Sequence, residues 1–146
     1  MSALFPNPFS KRKSRPYYNY STYRNYRDYR NYPTRKQRKA MSTFEEDLIQ
    51  DAEDDRLTVE YIKNYLPQEL KDRFSEEELY YFIDVIGEYY VELLDKHTDD
   101  EDIDIDVEEV AKYVARQAKK DKMGDFNPED LRWVVDGELE YGETQN

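Results

Sequence analysis

The charge of the chain changes sign at residue 42, and that switch limits what each side can become. Residues 1–42 carry 11 Lys+Arg against one acid, Asp28, whereas 43–146 carry 11 basic and 33 acidic residues. The net charges are +10 and -22, hidden inside a whole-chain value of -12. Aliphatic side chains are scarce before residue 42, and tyrosine is the only frequent large one. Such a segment buries too little apolar area to offset the ordering of its backbone, so 1–42 is expected to be a disordered tail. The core must come from residues 43–146.

From Thr43 the apolar spacing turns helical. Thr43 and Glu46 have the spacing of a capping box, followed by a stripe of Phe44, Leu48, Ile49 and Ala52. Thr58 is the expected cap of a second helix carrying Val59, Ile62, Tyr65 and Leu66, which Pro67 ends. Pro67 can open a short segment with Leu70 and Phe74 turned inward. The strongest element is SEEELYYFIDVIGEYYVELLDKH, 75–97, where Ser75 and Glu78 again match a capping box. Its seam of Leu79, Ile83, Ile86, Tyr90, Leu93 and His97 is widened by Phe82, Tyr89 and Leu94, as in a central helix packed on two sides. Asp106 is the expected cap of a helix with Val107, Val110, Val114 and Ala118 on one face. Gly124 breaks the chain, and Asn127 caps a last helix beginning at Pro128, with Leu131, Val134, Val135 and Leu139 inward and Trp133 at an edge. The last residues, 143–146, are expected to fray. The fold class read from this pattern is all-α, a compact bundle of about five helices over 43–142.

Composition removes several functions. The chain has no cysteine, which excludes a disulfide framework and thiolate metal sites. No apolar run approaches the roughly 18 residues of a membrane span. Prolines sit where a signal peptide would carry its apolar region, so the chain reads as soluble and not secreted, with no membrane partner. The single histidine, His97, stands at a helix C-terminus, where a favourable cap charge accounts for it. With no Cys/His pair and no glycine-rich phosphate loop, the reading is non-enzymatic, with no catalytic residues.

The tail carries the clearest binding chemistry. Two basic clusters, Lys11, Arg12, Lys13 and Arg15, then Arg35, Lys36, Arg38 and Lys39, flank the ladder YRNYRDYRNY at 23–32. Arg24, Arg27 and Arg30 alternate there with Tyr23, Tyr26, Tyr29 and Tyr32. A period of three does not suit a helix of 3.6 residues per turn. In a polyproline II conformation it would align Tyr20, Tyr23, Tyr26, Tyr29 and Tyr32 along one edge. Arginine and lysine would neutralise phosphates while the rings stack on unpaired bases, a pattern fitting single-stranded RNA or another polyanion. The same tail can instead lie on its own acidic domain or on a second copy by attraction, or serve as a nuclear address. The acidic domain, for its part, can attract a basic protein or imitate nucleic acid.

The stretch TDDEDIDIDVEE, 98–109, resembles the twelve-residue EF-hand loop. Asp100 and Asp102 fall at positions three and five, Ile105 at the apolar eighth, Asp106 at nine and Glu109 at twelve, with Asp104 among them. The resemblance implies Ca²⁺ or Mg²⁺ held by these carboxylates, the hard oxygen ligands such ions prefer. Thr98 replaces the first aspartate, and Ile103 stands where the family needs glycine, a position a β-branched residue resists. Weaker echoes occur at 67–78 and 119–130. The competing reading is a solvated acidic connection, in which DIDIDV is a short extended piece tucking Ile103 and Ile105 against the bundle.

Residues 41–146, through MSTFEEDLIQDAEDD, YIKNYLPQEL, SEEELYYF and KKDKMGDFNPEDLRWVV, also resemble a group of small acidic bacterial proteins. The resemblance implies a cytoplasmic bacterial protein and carries over no site residue. It leaves the tail outside, so translation is expected to start either at Met1 or at Met41, with 1–40 then an upstream extension.

Overall fold

The computed structural model describes residues 2–4, 20–96 and 104–144. Seven α-helices occur among them: α1 (Tyr20–Tyr26), α2 (Arg35–Lys39), α3 (Thr43–Tyr65), α4 (Gln68–Lys71), α5 (Glu76–Asp95), α6 (Val107–Lys120) and α7 (Pro128–Thr144). A 3-10 turn, Tyr29–Asn31, follows α1. The last five are the expected bundle. α6 packs chiefly on α7, α7 also lies on α3, and α5 crosses all three.

Local signals set most helix starts. Glu78 donates its backbone N–H to Ser75 Oγ at 3.1 Å, and Ser75 N–H returns to Glu78 Oε1 at 2.8 Å, completing the capping box of α5. Asp106 caps α6 by accepting from Glu108 N at 3.0 Å, and Asn127 caps α7 through Glu129 N at 3.0 Å. Three boundaries differ from expectation. Ser42, one residue before Thr43, caps α3 through Glu45 N at 3.2 Å. Thr58 caps nothing: it lies inside α3 and its hydroxyl donates to the Asp54 carbonyl at 2.7 Å. That back-bond satisfies a buried hydroxyl without a break, so one 23-residue helix replaces the expected two. After α6 the chain turns at Lys122 (φ 61), two residues before Gly124 (φ 149). Met123 N–H reaches Ala118 O at 2.9 Å and Lys122 N–H reaches Lys119 O at 3.2 Å, a Schellman ending with lysine at the position glycine usually holds.

The main core joins Val59, Ile62 and Leu66 of α3 to the α5 face of Leu79, Phe82, Ile83, Ile86 and Tyr90, the α6 valines, and Leu131, Val134, Val135 and Leu139. Phe74, Phe82 and Phe126 close one end, with ring centroids 5.0–6.0 Å apart. Buried Glu138 accepts from Tyr90 Oη at 3.1 Å, so that carboxylate is not left bare among apolar groups.

Residues 104–106 are extended, as the alternating reading of DIDIDV expects. They form strand β2 (Asp104–Asp106), paired antiparallel with β1 (Ser2–Leu4), Ala3 facing Ile105. Ile105 is buried against the bundle, while Ile103 lies outside the described residues.

The charge boundary at residue 42 is not a structural one. Of the described part of the basic segment, 2–4 pairs with β2 and 20–39 is mostly helical, with α1 packed against α3. Tyr23 is buried in a second apolar cluster with Leu48 and Ala52, with Tyr26 at its edge. The expected polyproline ladder is therefore absent over 20–32. In a helix, positions 23 and 26 share a face and turn toward α3, and Asp28 then starts the 3-10 turn by accepting from Arg30 N at 3.0 Å. The repeat is consumed by docking. Among the described residues no helix is long and apolar enough to cross a membrane.

Candidate polyanion-binding face

Besides the β1–β2 pairing, three side-chain contacts among the described residues fasten residues 20–32 to the acidic bundle. Tyr23 Oη donates to Asp55, and both side chains are buried. The Arg27 guanidinium pairs with Glu77 and lies over the Tyr80 ring, 3.7 Å from its centroid. Burial pushes the Tyr80 hydroxyl up to about 12, against the pull of the Arg27 charge, so the ring under Arg27 stays a neutral phenol. Farther along, Arg56 Nε donates to Tyr32 Oη at 3.2 Å, while its Nη1 meets Glu60 at 2.9 Å. Among the described residues, one ion pair, Arg27–Glu77, joins the oppositely charged parts, and two tyrosine hydroxyls make further polar contacts.

A cleft of about 460 Å³ lies between the docked segment and helices α3 and α5. Arg24, Arg27, Arg30, Arg56 and Lys63 line it, together with Asp28, Glu60, Glu76 and Glu77. Each of the four carboxylates meets a cation: Asp28 with Arg30 at 2.7 Å, Glu60 with Arg56, Glu76 with Lys63 at 3.4 Å, and Glu77 with Arg27. The hydrogen bond from Arg30 holds the Asp28 carboxyl below its usual range. The cleft's carboxylates are therefore all neutralised, and of its five cations only Arg24 has no ion pair to a described residue.

The surviving candidates are Arg24 and Arg30 in the cleft wall and the four cations of α2. Arg24, Arg30, Arg35, Lys36, Arg38 and Lys39 are exposed, and only Arg30 has an ion pair to a described residue. Thr34 fixes the orientation of α2 with a capping box, accepting from Gln37 N at 3.2 Å while Gln37 Oε1 accepts from Thr34 N at 2.8 Å. Tyr29 is 64% exposed, with the Arg56 guanidinium 5.9 Å from its ring centroid and the remainder of the ring open to solvent. The other tyrosines correct the expected ladder: Tyr23 is buried, and Tyr26 and Tyr32 are half-buried against α3. Arg27 is corrected as well, being committed to Glu77 and Tyr80. Lys11, Arg12, Lys13 and Arg15 lie outside the described residues.

The acidic loop gathers less than its resemblance implied. Asp100 and Asp102 lie outside the described residues. Asp104 and Asp106 flank Ile105 on β2, Asp106 is engaged as the α6 cap, and Glu109 has moved onto the helix. Among the described residues, no group of three or more His, Asp or Glu is placed to hold a metal ion.

Arg56 and Lys63, which complete the cleft from the acidic side, were not foreseen. Both read in sequence as ordinary solvated helix charges, Arg56 with Glu60 four residues on, and only the docking of α1 gives them a role. The chain matches no family model, no curated protein and no solved structure.

Proposed function

We propose that the chain is a non-enzymatic interaction protein whose α1–α2 face binds RNA or another polyanion in the cytoplasm. The observation that carries this reading is the set of exposed cations, Arg24, Arg35, Lys36, Arg38 and Lys39, without ion pairs among the described residues. Phosphates meet point charges and guanidinium forks there, and Tyr29 offers one π face for an unpaired base. The acidic bundle repels the same ligand, which confines contact to the basic segment.

Deleting the whole segment would also remove Tyr23 from the apolar cluster, so charge substitution is the cleaner test. Anisotropy of a labelled single-stranded RNA should show affinity falling linearly on logarithmic axes with salt, by about 0.7 per phosphate contact. The variant Arg35→Gln/Lys36→Gln/Arg38→Gln/Lys39→Gln should lower that slope by about 3. Tyr29→Ala should weaken binding by about 1–3 kcal/mol with the slope unchanged. An unaltered slope in the quadruple variant would overturn the reading.

A further inference from the structure

Four aromatic rings form a continuous strip where α3 meets α7. The Trp133 ring lies 6.2 Å from Tyr65, Tyr65 lies 6.3 Å from Tyr61, and Tyr61 lies 5.5 Å from Tyr141. Trp133 is 44% exposed and the three tyrosines are half-buried, so the strip faces solvent along its length. It is built, not incidental. A Cβ on Gly137 would stand 3.1 Å from Tyr65 Cδ1, so glycine is what lets this ring lie against the α7 backbone. Tyr65 Oη donates to Asp136 at 3.3 Å, which fixes the ring beside Trp133.

Carboxylates surround these rings. Burial and the charges of Asp136 and Glu140 push Tyr65 up to about 12, and burial with Asp54 and Glu53 raises Tyr141. Arg56 also acts on Tyr141, but it is already engaged by Glu60 and Tyr32. Neutral π faces rimmed by carboxylates attract a guanidinium or ammonium group from two sources at once, the ring quadrupole and the net negative field. The described part of the basic segment docks elsewhere, Tyr23 at Leu48, Ala52 and Asp55, Tyr32 at Arg56 and the Arg27 cation at Glu77 and Tyr80, and leaves Tyr61 and Tyr65 to another occupant.

We propose that the Trp133–Tyr65–Tyr61–Tyr141 strip is a docking surface for an arginine- or lysine-bearing segment of another polypeptide. One cation sits over Trp133 and Tyr65, and its neighbours reach Asp136 and Glu140. This site is separate from the polyanion face and opposite to it in charge, so either can fail without the other.

Trp133 is the only tryptophan in the chain, so its emission reports directly on the site. Titrating the full chain with a short arginine–glycine peptide should change that emission saturably, whereas an alanine–glycine peptide should not. By calorimetry, Trp133→Ala and, separately, Asp136→Asn/Glu140→Gln should each weaken the arginine peptide about tenfold. Trp133→Phe should recover part of the loss, and circular dichroism should confirm that each variant is folded. Equal binding by wild type and both variants would reduce the effect to the diffuse charge of the bundle and overturn the proposal. Equal binding of the uncharged peptide would overturn cation recognition. Self-association of the wild type that Trp133→Ala abolishes would assign the strip to a second copy instead.

Discussion

Tyrosine-rich stretches on either side of residue 42 meet different fates. In α5 the aromatic residues Tyr80, Phe82 and Tyr90 join aliphatic ones at helical spacing, and all three are buried. In residues 20–32 five tyrosines recur every third position, and among those whose side chains are described only Tyr23 is buried. The difference lies in the period. Spacings of three and four keep a stripe facing one way along a helix, whereas a strict period of three rotates each ring away from the last. α5 therefore belongs to a core that many residues share, and α1 is fastened by one ring and a handful of polar pairs. A region held so lightly is expected to open locally at far lower cost than the bundle unfolds.

The comparison breaks most visibly in the core. Phe82 is fully buried and touches Phe74 and Phe126 edge-on. Phe82→Ala should cost about 3–5 kcal/mol through lost transfer free energy and the cavity left behind. Denaturant titration should show the loss in the whole transition, with α3, α5 and α7 failing together.

The second test separates the regions. Tyr23→Phe keeps the ring in the cluster with Leu48 and Ala52 but withdraws the hydroxyl from buried Asp55. The cost should be about 1–3 kcal/mol, the range for leaving a buried acceptor short of a partner. Hydrogen exchange should quicken in α1 while amides of α5 keep their protection. Equal loss of protection in both helices would mean that the basic segment folds as one unit with the bundle.

What was legible in the sequence divides along the same line. The caps at Ser75, Asp106 and Asn127 depend on residues two or three positions away, so spacing alone revealed them. The stripes of α5, α6 and α7 are local periodicities: the expected α6 and α7 residues are buried, as are Leu79, Phe82, Ile83, Ile86 and Tyr90 of α5. Buried Tyr80 and Val85 fell outside the expected seam, and His97 and the Leu94 side chain lie outside the described residues. Thr58 misled because a threonine flanked by acidic and apolar residues reads as a cap, while its actual bond runs backward to Asp54. The docking of α1 depends on Asp55, Glu77 and Tyr80, and β2 on a partner about a hundred residues earlier. No local pattern encodes such contacts. The exposed cations of α2 were legible as charge, whereas the docking of the preceding residues through Tyr23 and Tyr32 was not.

The smallest effect concerns how the bundle carries its own charge. Asp84, Glu88 and Glu92 succeed one another at four-residue spacing on α5, and Asp121 adds a fourth carboxylate. Partial burial raises the Glu88 carboxyl above its ordinary value, and these three neighbours raise it further. A folded-state pKa above the unfolded one means that protonation favours the fold, so this contribution is present below the unfolded value and is lost as pH rises through the folded one. Above that window ionised Glu88 works against α5, with like-charge pairs at this spacing costing about 0.3 kcal/mol each. Glu88→Gln should therefore raise the melting temperature slightly at neutral pH, and the gain should shrink to nothing below the unfolded carboxyl range. Added salt should narrow it too, because Glu88 remains exposed enough for its repulsions to be screened. A gain that persisted unchanged at acid pH would point instead to helix propensity, and the acidic helices would then carry their charge without measurable strain.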